Sequence, residues 1–211
     1  MPENAAKTIT IGVTGASGAI LARRALQLLE SDDRVSRVHL VVTEAGQRLI
    51  AQELGVTSQD AKLLPAQIAG APCKKTELIS NRDIGASIAS GSYAVDAMAV
   101  IPCSAGTLAS IANGLSDDLL ARAADVCLKE RRPLVLCLRE TPLNRVHLQN
   151  MLRASEAGAV IMPVIPAFYF APQTIDDLVE QFVCRVLAQL GLPQQQQYRW
   201  QGQSKSRARE A

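Results

Sequence analysis

Six short apolar segments, alternating with stretches of helical periodicity, constrain this chain more than any other feature. They lie at 8–14 (TITIGVT), 38–43 (VHLVVT), 76–80 (TELIS), 97–102 (AMAVIP), 133–138 (PLVLCL) and 159–163 (AVIMP). Most are rich in Val, Ile and Leu, as strands covered on both faces are. Helical patterns at 18–31, 44–54, 105–113, 117–131 and 145–157 lie between most of them. Parallel neighbours need a crossover, and helical crossovers are right-handed. The alternation therefore predicts an α/β fold: a single Rossmann-like, doubly wound parallel sheet of about six strands with helices on both faces.

The last helix is the clearest. Thr174-Ile-Asp-Asp177 has the form of a capping box with Asp in place of the usual Glu or Gln, and Leu178, Phe182, Val186 and Leu190 follow at helical spacing. Gly191 and Pro193 end it. Residues 55–75 fit no clean period and read as a loop or a short helix over the sheet. The expected organisation is a flexible start over 1–7, one domain over 8–192, and an extension over 193–211 that carries Trp200 and has a mobile tail.

Charge and cysteine usage narrow the function. Lys and Arg number 22 against 20 acidic residues, for a net charge of +2. Nucleic-acid binding, which calls for a basic face, is not expected. No apolar run approaches the roughly 20 residues of a membrane span. The polar start, Met1 to Lys7, lacks a signal peptide's apolar core, so a cytoplasmic protein is expected. The five cysteines contain no C-x-x-C pair and the two histidines no ligand spacing, so neither a disulfide framework nor a metal is expected.

Ligands of an open parallel sheet bind outside the carboxyl ends of its strands. After the first strand comes Gly15-Ala16-Ser17-Gly18, where glycines admit close approach and a helix start offers N–H groups to a phosphate; the plain alternative is a tight turn with no ligand. The dinucleotide fingerprint is missing, because the spacing is Gly12-x-x-Gly15-x-x-Gly18 and strand two ends in Thr43 rather than an acid. After strand four, Ser104, Ala105, Gly106 and Thr107 form a second donor-rich turn, with Ser104 otherwise an ordinary N-cap. Cys103 reads as packing rather than as a nucleophile. Arg139-Glu140 closes strand five, either at the ligand or as a surface pair. Arg122 and Lys129, seven apart on one helix, face the same way, with Asp125 and Glu130 able to pair with them locally. Phe168-Tyr169-Phe170, between Pro166 and Pro172, could cover a ligand or plug against a neighbouring subunit.

VTGASGA, PCSAGTLASIANG, DDLLARAADVCLKERRPLVLCLRETP, HLQNML and GAVIMPVIPAFY together resemble the flavin prenyltransferase (UbiX-type) family of the flavoprotein superfamily, from about residue 8 to Trp200. The resemblance implies a metal-independent transfer of a dimethylallyl group from dimethylallyl monophosphate to N5 and C6 of reduced FMN. The product, prenylated FMN, would serve a UbiD-type decarboxylase in a ubiquinone-type pathway. It implies that Gly15, Ala16, Ser17, Thr43, Ser104, Ala105, Gly106, Thr107, Arg122 and Arg139 hold the flavin. It further implies that Lys129, Glu140, Tyr169 and Arg185 surround the allylic phosphate. Glu53 and Ser17 would relay a proton, and Trp200 and Tyr169 would face the allyl cation. Thr43 stands where the family often has Ser, and Gly106 where some members carry a bulkier residue. A homo-oligomer, often a dodecamer, with sites between subunits is implied as well. A cysteine-type decarboxylase of the same superfamily is disfavoured, because its catalytic His has no counterpart in Ala89–Tyr93; a non-catalytic FMN-binding protein remains the other alternative.

Overall fold

All six strands pair in parallel, in the spatial order β3-β2-β1-β4-β5-β6. The computed structural model describes residues 6–58 and 60–199. The strands are β1 Lys7–Val13, β2 Val35–Val42, β3 Thr76–Ser80, β4 Ala97–Cys103, β5 Leu134–Leu138 and β6 Val160–Ile161. The helices are α1 Ala19–Ser31, α2 Glu44–Leu54, α3 Leu64–Ala69, α4 Ala105–Ala112, α5 Leu119–Lys129, α6 Arg145–Glu156 and α7 Ile175–Gln189.

Each face of the sheet has its own apolar core. Leu26 and Leu29 of α1, Ile50 of α2, Ile68 of α3 and Val183 and Leu187 of α7 pack on one face with Ile9, Ile11 and Leu40. Leu108 of α4, Leu120 and Ala124 of α5 and Ala154 of α6 pack on the other with Met98, Val100 and Leu136. Burial on both sides explains why β4 and β5 read as unbroken apolar runs: every residue of each is buried.

The departures from expectation are local. β1 begins at Lys7, inside the span 1–7 expected to be flexible, of which 1–5 lie outside the described residues; Lys7 Nζ donates to Gly191 O (3.2 Å). β2 begins at Val35, three residues early, and exposes Ser36 and Arg37 in its first half. β6 keeps only two residues because Pro163 has no N–H for the ladder, although Met162 N and Val164 N still donate to Leu136 O and Leu138 O on β5 (2.9 and 2.8 Å). Within 55–75, α3 forms from Pro65 in its first turn to a left-handed Gly70 cap. The Thr174–Asp177 capping box is present, with Asp177 Oδ2 accepting from Thr174 N (2.9 Å).

Candidate active site

Strand order reverses between β1 and β4, which lie side by side with Gly12 opposite Val100. Their two following turns therefore leave the sheet together, where a crevice opens in such a fold. Thr14, buried at the end of β1, ties the turns. Its N–H and its hydroxyl both donate to Pro102 O (3.2 and 2.9 Å), and its Oγ1 accepts from Ser104 N (2.8 Å). Ser104 caps α4, its Oγ accepting from Thr107 N (3.2 Å) and lying 3.0 Å from Thr107 Oγ1. Ala105 and Gly106 begin α4, and the first N–H groups of a helix fall outside its own ladder. Thr43 caps α2, accepting from Gly46 N (3.0 Å). Gly15, Thr43, Ser104, Gly106 and Thr107 line one cleft of about 330 Å³. Hydroxyls and a helix start can donate to a phosphate monoester, although Asp117 and Asp118 line the same cleft.

The other side of the first turn carries a different set. Ala16 N donates to Thr14 O (2.9 Å), a tight reversal that precedes Gly18, whose φ of 126° disfavours any residue with a side chain. Glu53, from the last turn of α2, reaches across to accept from Gly18 N (3.0 Å) and Ala19 N (2.7 Å). The free N–H groups expected at the start of α1 are thus already bound, because a carboxylate answers the same donors and dipole that a phosphate would. The hydroxyls of the first cleft and the start of α4 lie on the other side of the same turn. Burial raises the Glu53 carboxyl, but hydrogen bonds from Ser17, Gly18 and Ala19 and the charge of Arg139 outweigh it and hold it below the ordinary glutamate value.

Arg139 Nε donates to Ser17 O (3.2 Å), which joins the end of β5 to the first turn. Ser17 and Arg139 line a second cleft of about 320 Å³ with Leu178, Val179 and Phe182 of α7. Leu178 and Phe182 also border a small cavity of about 20 Å³ with Tyr169, Phe170, Arg185 and Tyr198. Tyr169 packs against Phe170 and Tyr198 (ring centroids 6.1 and 5.3 Å apart). Ser17, the Arg139 guanidinium and an aromatic wall are therefore continuous along α7. Glu140, exposed beside Arg139, accepts from Thr141 N (3.0 Å).

Two predicted residues lie elsewhere. α5 starts beside the hydroxyl cleft and runs back along the sheet, so its eleven residues carry Lys129 about 16 Å away, to the amino ends of the strands. Lys129 pairs there with Glu130, and Arg122 pairs with Asp125 (2.6 Å) while donating to Ala89 O (3.1 Å). Within one chain, Lys129 does not join Tyr169 and Arg185. Trp200 lies outside the described residues. Asp118 is the N-cap of α5 rather than part of its first turn, and Asn81 Nδ2 donates to it (2.9 Å) beside the cleft. Sequence reading missed Thr14; its signal was a hydroxyl at the very end of an apolar strand, just before the glycine turn. Among the described residues, no three of His, Cys, Asp and Glu cluster as metal ligands would. No helix among them is long and apolar enough to cross a membrane.

A parallel sheet with two clefts at its switch point is the Rossmann-like class of fold, and the model of the Flavoprotein family matches residues 2–187. A flavin prenyltransferase UbiX from Salmonella typhimurium is 48% identical over 198 residues, covering 93% of this chain and 99% of that protein. The crystal structure of AnUbiX (PadA1) with FMN and dimethylallyl pyrophosphate superposes with a TM-score of 0.81 at 39% identity, covering 94% of this chain and 99% of that one. A dodecameric FMN-dependent UbiX-like decarboxylase from Escherichia coli O157:H7 gives a TM-score of 0.82 at 42% identity, with 92% and 100% covered. The chain belongs to the flavin prenyltransferase (UbiX-type) family.

Proposed function

We propose that this protein transfers the dimethylallyl group of dimethylallyl monophosphate to N5 and C6 of reduced FMN, giving prenylated FMN and inorganic phosphate. The observation that carries the reading is the Ser17–Glu53–Arg139 constellation, set between the hydroxyl cleft and the apolar cleft. Gly15, Ala16, Thr43, Ser104, Ala105, Gly106 and Thr107 fit an FMN phosphate and ring edge, with Arg139 beside them. Reduced FMN supplies the nucleophile, so the protein's work is positioning and electrostatics.

The residues divide that work. Arg185 and Tyr169 take the allylic phosphate, and the guanidinium steadies the dianion as the C–O bond breaks. Tyr169, with Trp200, offers an aromatic face to the positive charge on the allyl group. Glu53 is held ionised, so it accepts a proton through the Ser17 hydroxyl when the second bond forms. Lys129, Arg122 and Glu140 complete the set from a neighbouring copy or from the rim, since Lys129 is remote from the clefts of its own chain. A homo-oligomer follows from that placement, and the dodecameric relative supports it. The product would go to a UbiD-type decarboxylase in the cytoplasm.

The test is anaerobic incubation with reduced FMN and either dimethylallyl monophosphate or the diphosphate, each with chelator or with Mg²⁺, reading the mass of the released flavin. The expected result is a flavin heavier by C5H8 from the monophosphate, with or without chelator. A flavin of unchanged mass in every arm, or activity that vanishes with chelator and returns with Mg²⁺, overturns the mechanism.

A further inference from the structure

Lys129 stands at the end of a helix, where a long side chain would ordinarily sweep through solvent. Here a seat is built for it. The loop Ser90-Gly91-Ser92-Tyr93 passes beneath the last turn of α5, and Gly91 leaves the space that the Lys129–Glu130 pair fills. A methyl group at residue 91 would overlap Glu130 Oε1 and come within 2.5 Å of Lys129 Nζ.

The loop is tethered from both sides. Arg132, three residues beyond Lys129, donates from Nη2 to Gly91 O (2.7 Å) and from Nη1 to Tyr93 O (2.9 Å). Tyr93 Oη lies 3.0 Å from Nε2 of His39, which is fully buried on β2. Ser90 Oγ and Ser92 Oγ lie 2.9 Å apart, closing the loop on itself. His39 Nδ1 in turn sits 2.8 Å from Glu77 Oε1 on β3, a close electrostatic contact that is not aligned as a hydrogen bond. None of these groups reaches the flavin clefts, so the cofactor does not account for them.

We infer that the Ser90–Tyr93 loop is a positioning device for Lys129, with Gly91 and Tyr93 as its positioning residues, which presents the ammonium group to the allylic phosphate of a neighbouring subunit. The inference rests on the reading of Lys129 as a phosphate-binding cation. A seated lysine surrenders less rotamer freedom when the phosphate arrives than a free one, so the contact tightens. Glu130 holds the ammonium in place until the dianion competes for it.

Gly91→Ala isolates this role. The backbone at Gly91 is not left-handed, so alanine can adopt it, and the atoms displaced are the far ends of two flexible side chains. The fold should keep its melting temperature while Lys129 is expelled from its seat. In the assembled enzyme with FMN bound, the KM for dimethylallyl monophosphate should rise about ten- to hundredfold, the range expected for loss of a charged hydrogen bond. FMN affinity should stay at the parental value. Tyr93→Phe, which cuts the contacts of Tyr93 Oη with His39 and Arg37 but keeps both Arg132 bonds, should raise KM less. Adding Gly91→Ala to Lys129→Ala should cost nothing further, because both changes remove one interaction. A parental KM in Gly91→Ala, when Lys129→Ala raises it, overturns the seat. Additive effects in the double variant, or loss of FMN from Gly91→Ala, assign Gly91 another role and overturn it as well. A parental KM in Lys129→Ala alone instead sinks the reading of Lys129, and the inference with it.

Discussion

Replacing Thr14 by Val tests whether the two cofactor turns are held by one buried hydroxyl. Valine keeps the shape of the side chain and removes only Oγ1. The change deletes one bond to Pro102 O, which retains Thr14 N–H at 3.2 Å, and leaves the half-buried Ser104 N–H without its acceptor at 2.8 Å. A neutral hydrogen bond is worth about 1 kcal/mol net, and an orphaned buried donor costs about 1–3 kcal/mol. The expected loss is therefore about 2–4 kcal/mol, which for a domain of this size lowers the melting temperature by about 4–16 °C. Ser104 is also the cap of α4 and a cleft wall, so FMN should bind more weakly. Thermal denaturation without flavin and a flavin titration read the two effects separately. Thr14→Ser, which restores the hydroxyl, should recover most of both. If Thr14→Val melts and binds FMN like the parent, the turns are held by backbone packing and the reasoning fails.

Ser17→Ala should retain FMN but slow product formation about a hundredfold or more, because Gly18 and Ala19 still hold Glu53 while the hydroxyl that would pass the proton is gone. A parental single-turnover rate would falsify the relay. For His39, burial lowers its proton affinity; the opposing charge of Glu77 does not restore it, and Arg37 lowers it further. The folded state therefore favours the neutral ring, whereas the unfolded chain takes up the proton near about pH 6.5. That contribution to stability is full above the unfolded value and falls as pH drops through it toward the folded one. Urea midpoints should decrease between about pH 8 and pH 5.5 in the parent and less steeply in His39→Gln; matching slopes would remove His39 from the account.

The strands and helices were legible because each obeys a local rule. Unbroken Val, Ile and Leu runs mark strands buried on both faces, and capping residues such as Ser104 and Thr174 mark helix starts without reference to anything distant. The glycine- and hydroxyl-rich turns after β1 and β4 were legible for the same reason: such residues follow strand ends, and topology puts strand ends at the crevice. What the sequence could not determine is which distant groups answer one another. Glu53 captures the N–H groups of Gly18 and Ala19 because α2 returns its last turn beside α1, a placement set by packing on β1 and β2. Thr14 reaches Ser104, ninety positions on, because β1 and β4 are neighbours in space. Lys129 is separated from Tyr169 and Arg185 by the direction in which α5 runs, whereas its spacing from Arg122 described only one helix face. Local pattern is a property of a few consecutive residues. Partnership across the molecule depends on crossover direction and strand order, which only the tertiary structure decides.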